Sequence, residues 1–297
     1  MYEAMANDER LNLHVEAQGS GPLLVLLHGF AGSARNFRPQ RRAFSNDYRV
    51  VAFDARGHAR SPAPLASAAY DPARFVADLR SVIDNEGGRS SENPSTVDAS
   101  KSTPSTASAH MPVVPVVACG LSMGAGIALR YGIGHSEDIC ALVLASFPRT
   151  TAEPATREWA MGFAEMIEQF GLDAAGQRYV WGERSRFDPA GAALIRQGFL
   201  EHEPQALAHI LRNVLAVQPS VSEMREALEH LTVPTLLVAG ERDRTALESS
   251  EELSSHLPRA ELEVIPDAGH IVNLEAAEQF NSRVRRFLSE HVPGEVA

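Results

Sequence analysis

The sequence contains few cysteines and no recognisable metal-binding pattern. Its two cysteines, Cys119 and Cys140, lie in apolar stretches that are typical of buried strands. Two buried thiols in a chain of 297 residues favour a reducing compartment over a disulfide framework, and they predict a cytoplasmic protein. No Cys-x-x-Cys or His-x-x-x-His pattern supplies further ligands for a zinc ion, so we expect no metal site.

Basic clusters, long apolar runs and a signal peptide are also missing. The formal net charge is −11, and no basic stripe is present, which argues against a nucleic-acid-binding protein. The longest apolar runs, such as 22–27 and 112–119, are too short to span a bilayer. The N-terminal residues lack the basic and apolar segments of a signal peptide. We therefore expect a soluble protein that acts on a small molecule, as a monomer or a homo-oligomer.

Short apolar runs that alternate with helical patterns are abundant. Strands that alternate with helices predict an α/β protein with a doubly wound, mostly parallel sheet. The continuous apolar character of several runs is typical of strands that are buried on both faces. The predicted strands fall near residues 10–19, 21–29, 48–54, 113–120, 139–147, 232–240 and 260–265.

Two segments depart from this alternation. Residues 87–111 are dominated by Ser, Thr, Pro and Ala, and we interpret them as a flexible surface insertion. Residues 148–231 show helical patterns and no strand-like run, which predicts a helical lid inserted into a core domain of residues 1–147 and 232–297. Trp159 and Phe163 belong to the apolar stripes of this lid, where they either line a substrate pocket or pack the lid itself.

The stretch CGLSMGAG places Ser122 between a predicted strand and a predicted helix. This is the context that a Gly-x-Ser-x-Gly nucleophile turn requires, and Gly120 and Gly124 supply the small neighbours. The turn would raise the serine hydroxyl to the carboxyl end of the sheet, where open α/β sheets bind ligands. Ser122 is therefore the predicted nucleophile.

A serine nucleophile needs a base and an acid that orients the base. His270 follows the strand at 260–265, and Asp243 follows the preceding strand; Glu241, two residues nearer the strand end, is the rival acid. The order Ser122, Asp243, His270 is the order expected when the serine lies on such a turn.

Backbone amides are predicted to hold the oxyanion that forms when a serine attacks a carbonyl. One is the amide of Met123, directly after the nucleophile, and the other is the amide of Phe30, in the loop after the strand at 21–29. His28 ends that strand, so we place it near the substrate pocket, where it either borders the substrate or supports the loop by hydrogen bonding.

The motifs LLHGFAGS, FDARGHARS, GLSMGAG, AGERDR and DAGHIVNLE occur in an order and spacing that resemble the α/β-hydrolase superfamily, most closely its lid-bearing esterase and lactonase branch. The resemblance covers nearly the whole chain apart from 87–111 and the lid. It implies an eight-stranded sheet, a lid between the sixth and seventh strands, and no cofactor. The chain departs from the usual pattern at Ala59 and Ala125, where many relatives carry glycine.

These observations predict a serine hydrolase that cleaves a carboxylic ester or lactone through an acyl-enzyme. The alternative is a carbon–carbon bond hydrolase or lyase-like enzyme that uses the same triad on an acidic metabolite. A third hypothesis is a non-catalytic ligand-binding protein on the same scaffold. Candidate arginines for an acidic substrate at the mouth of the site are Arg35, Arg56, Arg60 and Arg149.

Overall fold

The computed structural model describes residues 11–88, 114–148, 154–182 and 189–292. Within these residues strands alternate with helices along the chain, which confirms the predicted α/β class. From residue 89 onward, the segment predicted to be a flexible insertion lies outside the described residues, as does Arg149.

The described strands form one sheet of seven strands in the order β1-β3-β2-β4-β5-β6-β7. All neighbours are parallel except β1, which runs antiparallel to β3. The strands are β1 Val15–Gln18, β2 Leu23–Leu27, β3 Arg49–Phe53, β4 Val116–Leu121, β5 Ala141–Ala145, β6 Thr235–Gly240 and β7 Ala260–Ile265.

The number of strands corrects one expectation. The resemblance implied eight strands, whereas the described residues contain seven. In this part of the chain only β1 precedes β2, and its pairing with β3 begins at Val15. Residues 1–10 lie outside the described part of the chain.

The helices cover both faces of the sheet. None of the described helices combines the length and the apolar character that crossing a membrane requires. The helices are α1 Arg38–Phe44, α2 Pro72–Glu86, α3 Met123–Gly134, α4 Pro154–Tyr179, α5 Pro189–Phe199, α6 Pro204–Asn213, α7 Arg225–His230, α8 Arg244–His256, α9 Val272–Glu275 and α10 Ala277–His291.

Two apolar cores lie on opposite faces of the sheet. Leu23, Val25 and Leu27 of β2 belong to one core, and Leu24 and Leu26 belong to the other, because successive strand side chains point to opposite faces. Side chains of α2 and α3 fill the first core, and those of α1 and α10 fill the second. The central strands are therefore buried along their whole length, as their apolar runs predicted.

Four helices, α4 to α7, occupy the described residues between β5 and β6. We refer to residues 154–230 as the helical insertion. Its longest helix, α4, is interrupted at Gly171, whose φ of 80° lies in the left-handed region that glycine adopts readily. Ala160, Phe163 and Ile167 of α4 are buried in the same core as α2 and α3, so the insertion packs on that face of the sheet.

The turn from β4 into α3 raises Ser122 above the sheet edge. Ser122 has φ 53° and ψ −114°, a conformation that a non-glycine residue keeps only when its surroundings impose it. A Cβ atom on Gly120 would lie 2.2 Å from the Gly124 carbonyl oxygen, and one on Gly124 would lie 2.3 Å from the Leu27 carbonyl oxygen. The two glycines therefore allow the turn to close and α3 to touch β2.

We expect Gly124→Ala to destabilise the protein, because the added methyl group must push α3 away from the Leu27 and His28 carbonyl groups. Overpacking of this kind costs about 1–3 kcal/mol, measured as the free energy of unfolding in urea. Gly134→Ala is the matched control, since a Cβ there meets no described atom within 4 Å. Equal stability of the two variants would contradict the proposed role of the contact.

Candidate active site

Three side chains from three loops at the carboxyl edge of the sheet form a chain of hydrogen bonds. Ser122 follows β4, Asp243 follows β6 and His270 follows β7. His270 Nε2 lies 3.0 Å from Ser122 Oγ, and His270 Nδ1 lies 2.5 Å from Asp243 Oδ2. With the proton on Nδ1, the imidazole donates to the carboxylate and accepts the serine proton at Nε2. The structure thus brings together the three residues predicted from the sequence.

Asp243 and Glu241, the two candidate acids, have different partners. Asp243 caps α8: its Oδ1 accepts a hydrogen bond from the Ala246 amide, and its Oδ2 faces His270. Glu241 Oε2 instead accepts from the Asp267 amide at 3.1 Å. Because the cap fixes the carboxylate of Asp243 toward His270, Asp243 rather than Glu241 meets the imidazole.

Glu275 holds the loop that carries His270, and sequence reasoning did not identify it. Its Oε2 accepts from the Gly269 amide at 2.9 Å, and its Oε1 accepts from the Ile271 amide at 3.0 Å. One carboxylate therefore binds the backbone on both sides of His270. The only signal in the sequence is an acid five residues after the histidine, in the motif DAGHIVNLE.

The loop after β2 lies directly against Ser122. A Cβ on Gly29 would lie 3.3 Å from Ser122 Cβ, so the backbone before Phe30 passes beside the predicted nucleophile. Within the described residues, the amides of Phe30 and Met123 donate to no acceptor. Both are thus available as donors next to Ser122.

Buried hydrogen bonds hold this loop in place. Asp54 Oδ1 accepts from the Ala34 amide at 2.7 Å, and its Oδ2 accepts from Arg60 Nε at 2.8 Å. Burial alone would raise the pKa of Asp54, but the hydrogen bonds from the Arg60 guanidinium and the Ala34 amide outweigh it and hold that pKa below its ordinary value. His28 Nδ1 donates to the Gly29 carbonyl at 2.7 Å, and its Nε2 accepts from the Ala55 amide at 2.9 Å.

The position of His28 corrects a prediction. The sequence predicts His28 near the substrate pocket, but it is buried and is not among the residues that line the cavity at Ser122. Burial lowers its pKa to about 4. A neutral imidazole with one donor and one acceptor satisfies both of its neighbours, so His28 supports the loop, in agreement with the alternative role that its position predicts.

Three buried imidazole rings connect this loop to the helical insertion. The ring of His58 packs edge-on against His28, with centroids 4.8 Å apart, and against His202 of the insertion at 5.4 Å. Burial holds the pKa of His58 well below its ordinary value. His202 Nε2 lies 3.1 Å from the Gly32 carbonyl oxygen, and Arg35 forms an ion pair of 2.6 Å with Glu201. The insertion is thus fastened to the loop after β2.

A cavity of about 1040 Å³ opens at Ser122 and His270. This exceeds the usual volume of a pocket for a drug-sized molecule. The rings of Trp159 and Phe163 both line it, and Phe163 also stacks on Tyr179 and Phe199, with centroids 4.5 and 6.0 Å away. These aromatic side chains therefore pack the insertion and form the cavity wall at the same time.

The candidate arginines are mostly occupied by carboxylates. Arg56 is buried and binds both oxygens of Asp78, at 2.7 and 2.8 Å, and Arg60 binds Asp54. Arg35 lines the cavity but pairs with Glu201.

Two groups of side chains in the described part of the chain bring potential metal ligands together. Neither includes a member of the Ser122, Asp243 and His270 set, and His291 of the second group already pairs with Glu261. The groups are His135, Glu137 and Asp138, and Glu261, Glu290 and His291.

We expect Glu275→Gln to slow the reaction of Ser122 with a neutral fluorophosphonate by roughly ten- to hundredfold. An amide presents one acceptor oxygen, so one of the two backbone bonds beside His270 is lost and the imidazole shifts. The labelling rate is the measurement, with circular dichroism as a check on folding. Glu278→Gln on α10 is the matched control. Equal labelling rates in the two variants would contradict the proposed role of Glu275 in holding the loop of His270.

We expect the free energy of unfolding to fall as the pH decreases from 7 to 5. The unfolded chain protonates His28 near its ordinary pKa of 6.5, whereas the folded protein does so only at a pKa of about 4. The unfolded state binds more protons in this window, which costs about 2 kcal/mol for this group. The free energy of unfolding, measured by chemical denaturation at several pH values between 5 and 7, should change less steeply with pH in His28→Gln than in the wild type. His256→Gln should keep the wild-type slope, and the same slope in all three proteins would refute the assignment.

Comparison with known proteins agrees with the fold and the motifs. The model of the alpha/beta hydrolase family matches residues 24–283. The chain is 26% identical to a protein of Bacillus subtilis assigned as a 2-succinyl-6-hydroxy-2,4-cyclohexadiene-1-carboxylate synthase, over 92% of this chain and 93% of the relative. It is 24% identical to 3-oxoadipate enol-lactonase 1 of Acinetobacter baylyi, over 91% and 90%.

A solved structure shows the same fold. The thermophilic esterase from Thermogutta terrifontis, solved with malate bound, matches with a TM-score of 0.78 and 23% identity over 96% of each chain. The family model covers well over half of this sequence and includes all three residues of the hydrogen-bonded set. The protein is therefore an enzyme that belongs to the α/β-hydrolase family.

Proposed function

We propose that the protein is a serine hydrolase that cleaves carboxylic ester or lactone bonds of a small molecule. The observation that carries this proposal is the hydrogen-bonded chain from Ser122 through His270 to Asp243 at the cavity. A serine hydroxyl is a weak nucleophile until a base accepts its proton, and His270 Nε2 lies within hydrogen-bond distance of that proton. The enol-lactonase relative supports the substrate class.

The first half of the reaction forms an acyl-enzyme. Ser122 Oγ attacks the carbonyl carbon as its proton moves to His270 Nε2, and Asp243 stabilises the imidazolium that results. The proton then passes from His270 to the leaving alkoxide as the ester bond breaks. In a lactone, the alkoxide stays attached to the acyl group.

In the second half of the reaction, water is the nucleophile and Ser122 Oγ is the leaving group. His270 takes a proton from the attacking water, and the new hydroxyl group bonds to the acyl carbon. The bond to Ser122 Oγ then breaks, and His270 returns the proton to the serine. The products are a carboxylic acid and an alcohol, and the enzyme is restored.

The amides of Phe30 and Met123 are proposed to hold the oxyanion of both tetrahedral intermediates. Two features support this: the close approach of the loop after β2 to Ser122, and the absence of acceptors for either amide within the described residues. Donors that are already oriented need no reorganisation when the charge develops, which makes such groups a large contribution to catalysis.

We also propose that residues 148–231 act as a lid. Helix α4 of this segment lines the cavity with Trp159 and Phe163, and His202, between α5 and α6, contacts the loop after β2. Aromatic walls favour an apolar acyl or alcohol group, and a cover over the site excludes water from the charged intermediate.

The second candidate function keeps the triad and changes the bond that is broken. The synthase relative, whose product is named as a carboxylate, favours a carbon–carbon bond or lyase-like reaction on an acidic metabolite. Activity with neutral esters distinguishes the two functions. Efficient hydrolysis of such esters favours the first function, whereas the second reaction breaks a different bond and does not require an ester.

We expect Ser122→Ala to lower kcat for p-nitrophenyl esters at least about 10³-fold, and Asp243→Asn to lower it roughly 10³- to 10⁴-fold, since each removes one member of the set. Glu241→Gln is the matched control, because Glu241 binds the Asp267 amide and not His270. It should retain wild-type turnover. Wild-type turnover in Ser122→Ala would refute the proposed function, and a larger loss in Glu241→Gln than in Asp243→Asn would refute the acid assignment.

A further inference from the structure

The charged side chains that line the cavity differ in whether they have a partner. Among the described residues of its wall, Arg35 is paired with Glu201, and Asp243 is paired with His270. Arg38 also lines the wall, and it has no hydrogen-bond or ion-pair partner within the described part of the chain. One cation therefore faces the cavity with its hydrogen-bonding capacity unused.

A buried polar network fixes the backbone of Arg38 relative to His270. Asn273, three residues after His270, donates from Nδ2 to the Asn36 carbonyl at 3.0 Å and to Gln40 Oε1 at 3.2 Å. Gln40 Nε2 in turn donates to the Asn273 carbonyl at 2.8 Å. These partners lie two residues on either side of Arg38, and the side chains of Gln40 and Asn273 are fully buried. The start of α1 is therefore tied to the start of α9, which holds the backbone of Arg38 near the loop that carries His270.

The surroundings of Arg38 indicate the chemistry of its ligand. A guanidinium group presents a planar fork of donors that matches the two oxygens of a carboxylate. Ile271 and Leu274 line the same cavity as Ser122 and Arg38, so apolar side chains are available to contact an aliphatic part of a substrate. The exposure of Arg38 to solvent means that its attraction for an anion is modest and is weakened by salt.

We propose that Arg38 binds a carboxylate of the substrate, remote from the bond that is cleaved, so that the preferred substrates are esters or lactones that carry an ionised carboxylate. This rests on the proposed serine hydrolase function and narrows its substrate class. Arg38 then acts on specificity through substrate affinity and not on the proton transfers at His270.

The test compares two esters that differ only in the distal group: p-nitrophenyl hexanoate and the mono-p-nitrophenyl ester of adipic acid. The measured quantity is the ratio of kcat/KM for the carboxylated ester to that for the neutral ester. Arg38→Ala should lower this ratio about fivefold, mainly through KM, and Arg38→Lys should retain part of it. Rising salt should lower the wild-type ratio.

Arg42→Ala is the matched control, because Arg42 is an exposed arginine on the same helix, α1, and does not line the cavity. It should keep the wild-type ratio. An equal effect of Arg42→Ala and Arg38→Ala would overturn the proposal, since the general positive charge of α1 would then explain the result. An unchanged ratio in Arg38→Ala would overturn it as well.

Two further measurements separate this proposal from the proposed function. If Ser122→Ala abolishes hydrolysis while Arg38→Ala leaves the ratio unchanged, the proposed function stands and the Arg38 site is wrong. If Ser122→Ala remains active, the proposed function is wrong, and calorimetric titration with adipate then tests Arg38 without turnover. About fivefold weaker adipate binding to Arg38→Ala than to Arg42→Ala supports the site, and equal binding refutes it.

Discussion

The contact between Gly124 of α3 and the Leu27 and His28 carbonyl groups is the constraint on which the site depends. It leaves no room for a side chain, so the turn that carries Ser122 and the loop that carries Phe30 meet backbone against backbone. The same contact lets Ser122 keep a conformation with φ of 53°, which an isolated chain would leave. The close packing of one helix on one strand thus places Ser122 and the loop of Phe30 beside each other without a polar contact between side chains.

The histidine is positioned by a different kind of interaction. The side chain of His270 is half-exposed, so its position depends on how the backbone around it is held. Glu275 binds the amides on both sides of His270, and Asn273 ties the following helix to α1. Asp243 is both the cap of α8 and the partner of His270. The hydrogen bond by which it caps the helix also directs its carboxylate toward His270. Asp243 and the loop of His270 are therefore held by hydrogen bonds additional to the one between the two side chains.

Local charge in the cavity differs from the charge of the whole chain. The net charge of −11 argues against a polyanionic partner, yet the described cavity wall carries one unpaired cation, Arg38. Deeper in the fold, burial lowers the pKa values of His28 and His58 and keeps both rings neutral. His28 bonds to the Gly29 carbonyl of the loop after β2, and the ring of His58 packs between His28 and His202 of the insertion. The net charge of the chain therefore does not describe the cavity, because a partly enclosed cavity responds mainly to its nearest charges.

The order of strands and helices and the place of Ser122, Asp243 and His270 at strand ends could be read from the sequence. Apolar runs and strand-to-helix turns are local patterns, and parallel strands bring their carboxyl ends to one edge. The sequence predicted Asp243 but left Glu241 as a rival acid two residues away, and the tertiary structure shows that the start of α8 directs Asp243 toward His270. The sequence also left open whether His28 borders the substrate, and it did not reveal Glu275 or the anchoring of Arg38 by Asn273. Those relations join residues whose side-chain directions are set by packing between distant elements, and only the tertiary structure brings them together.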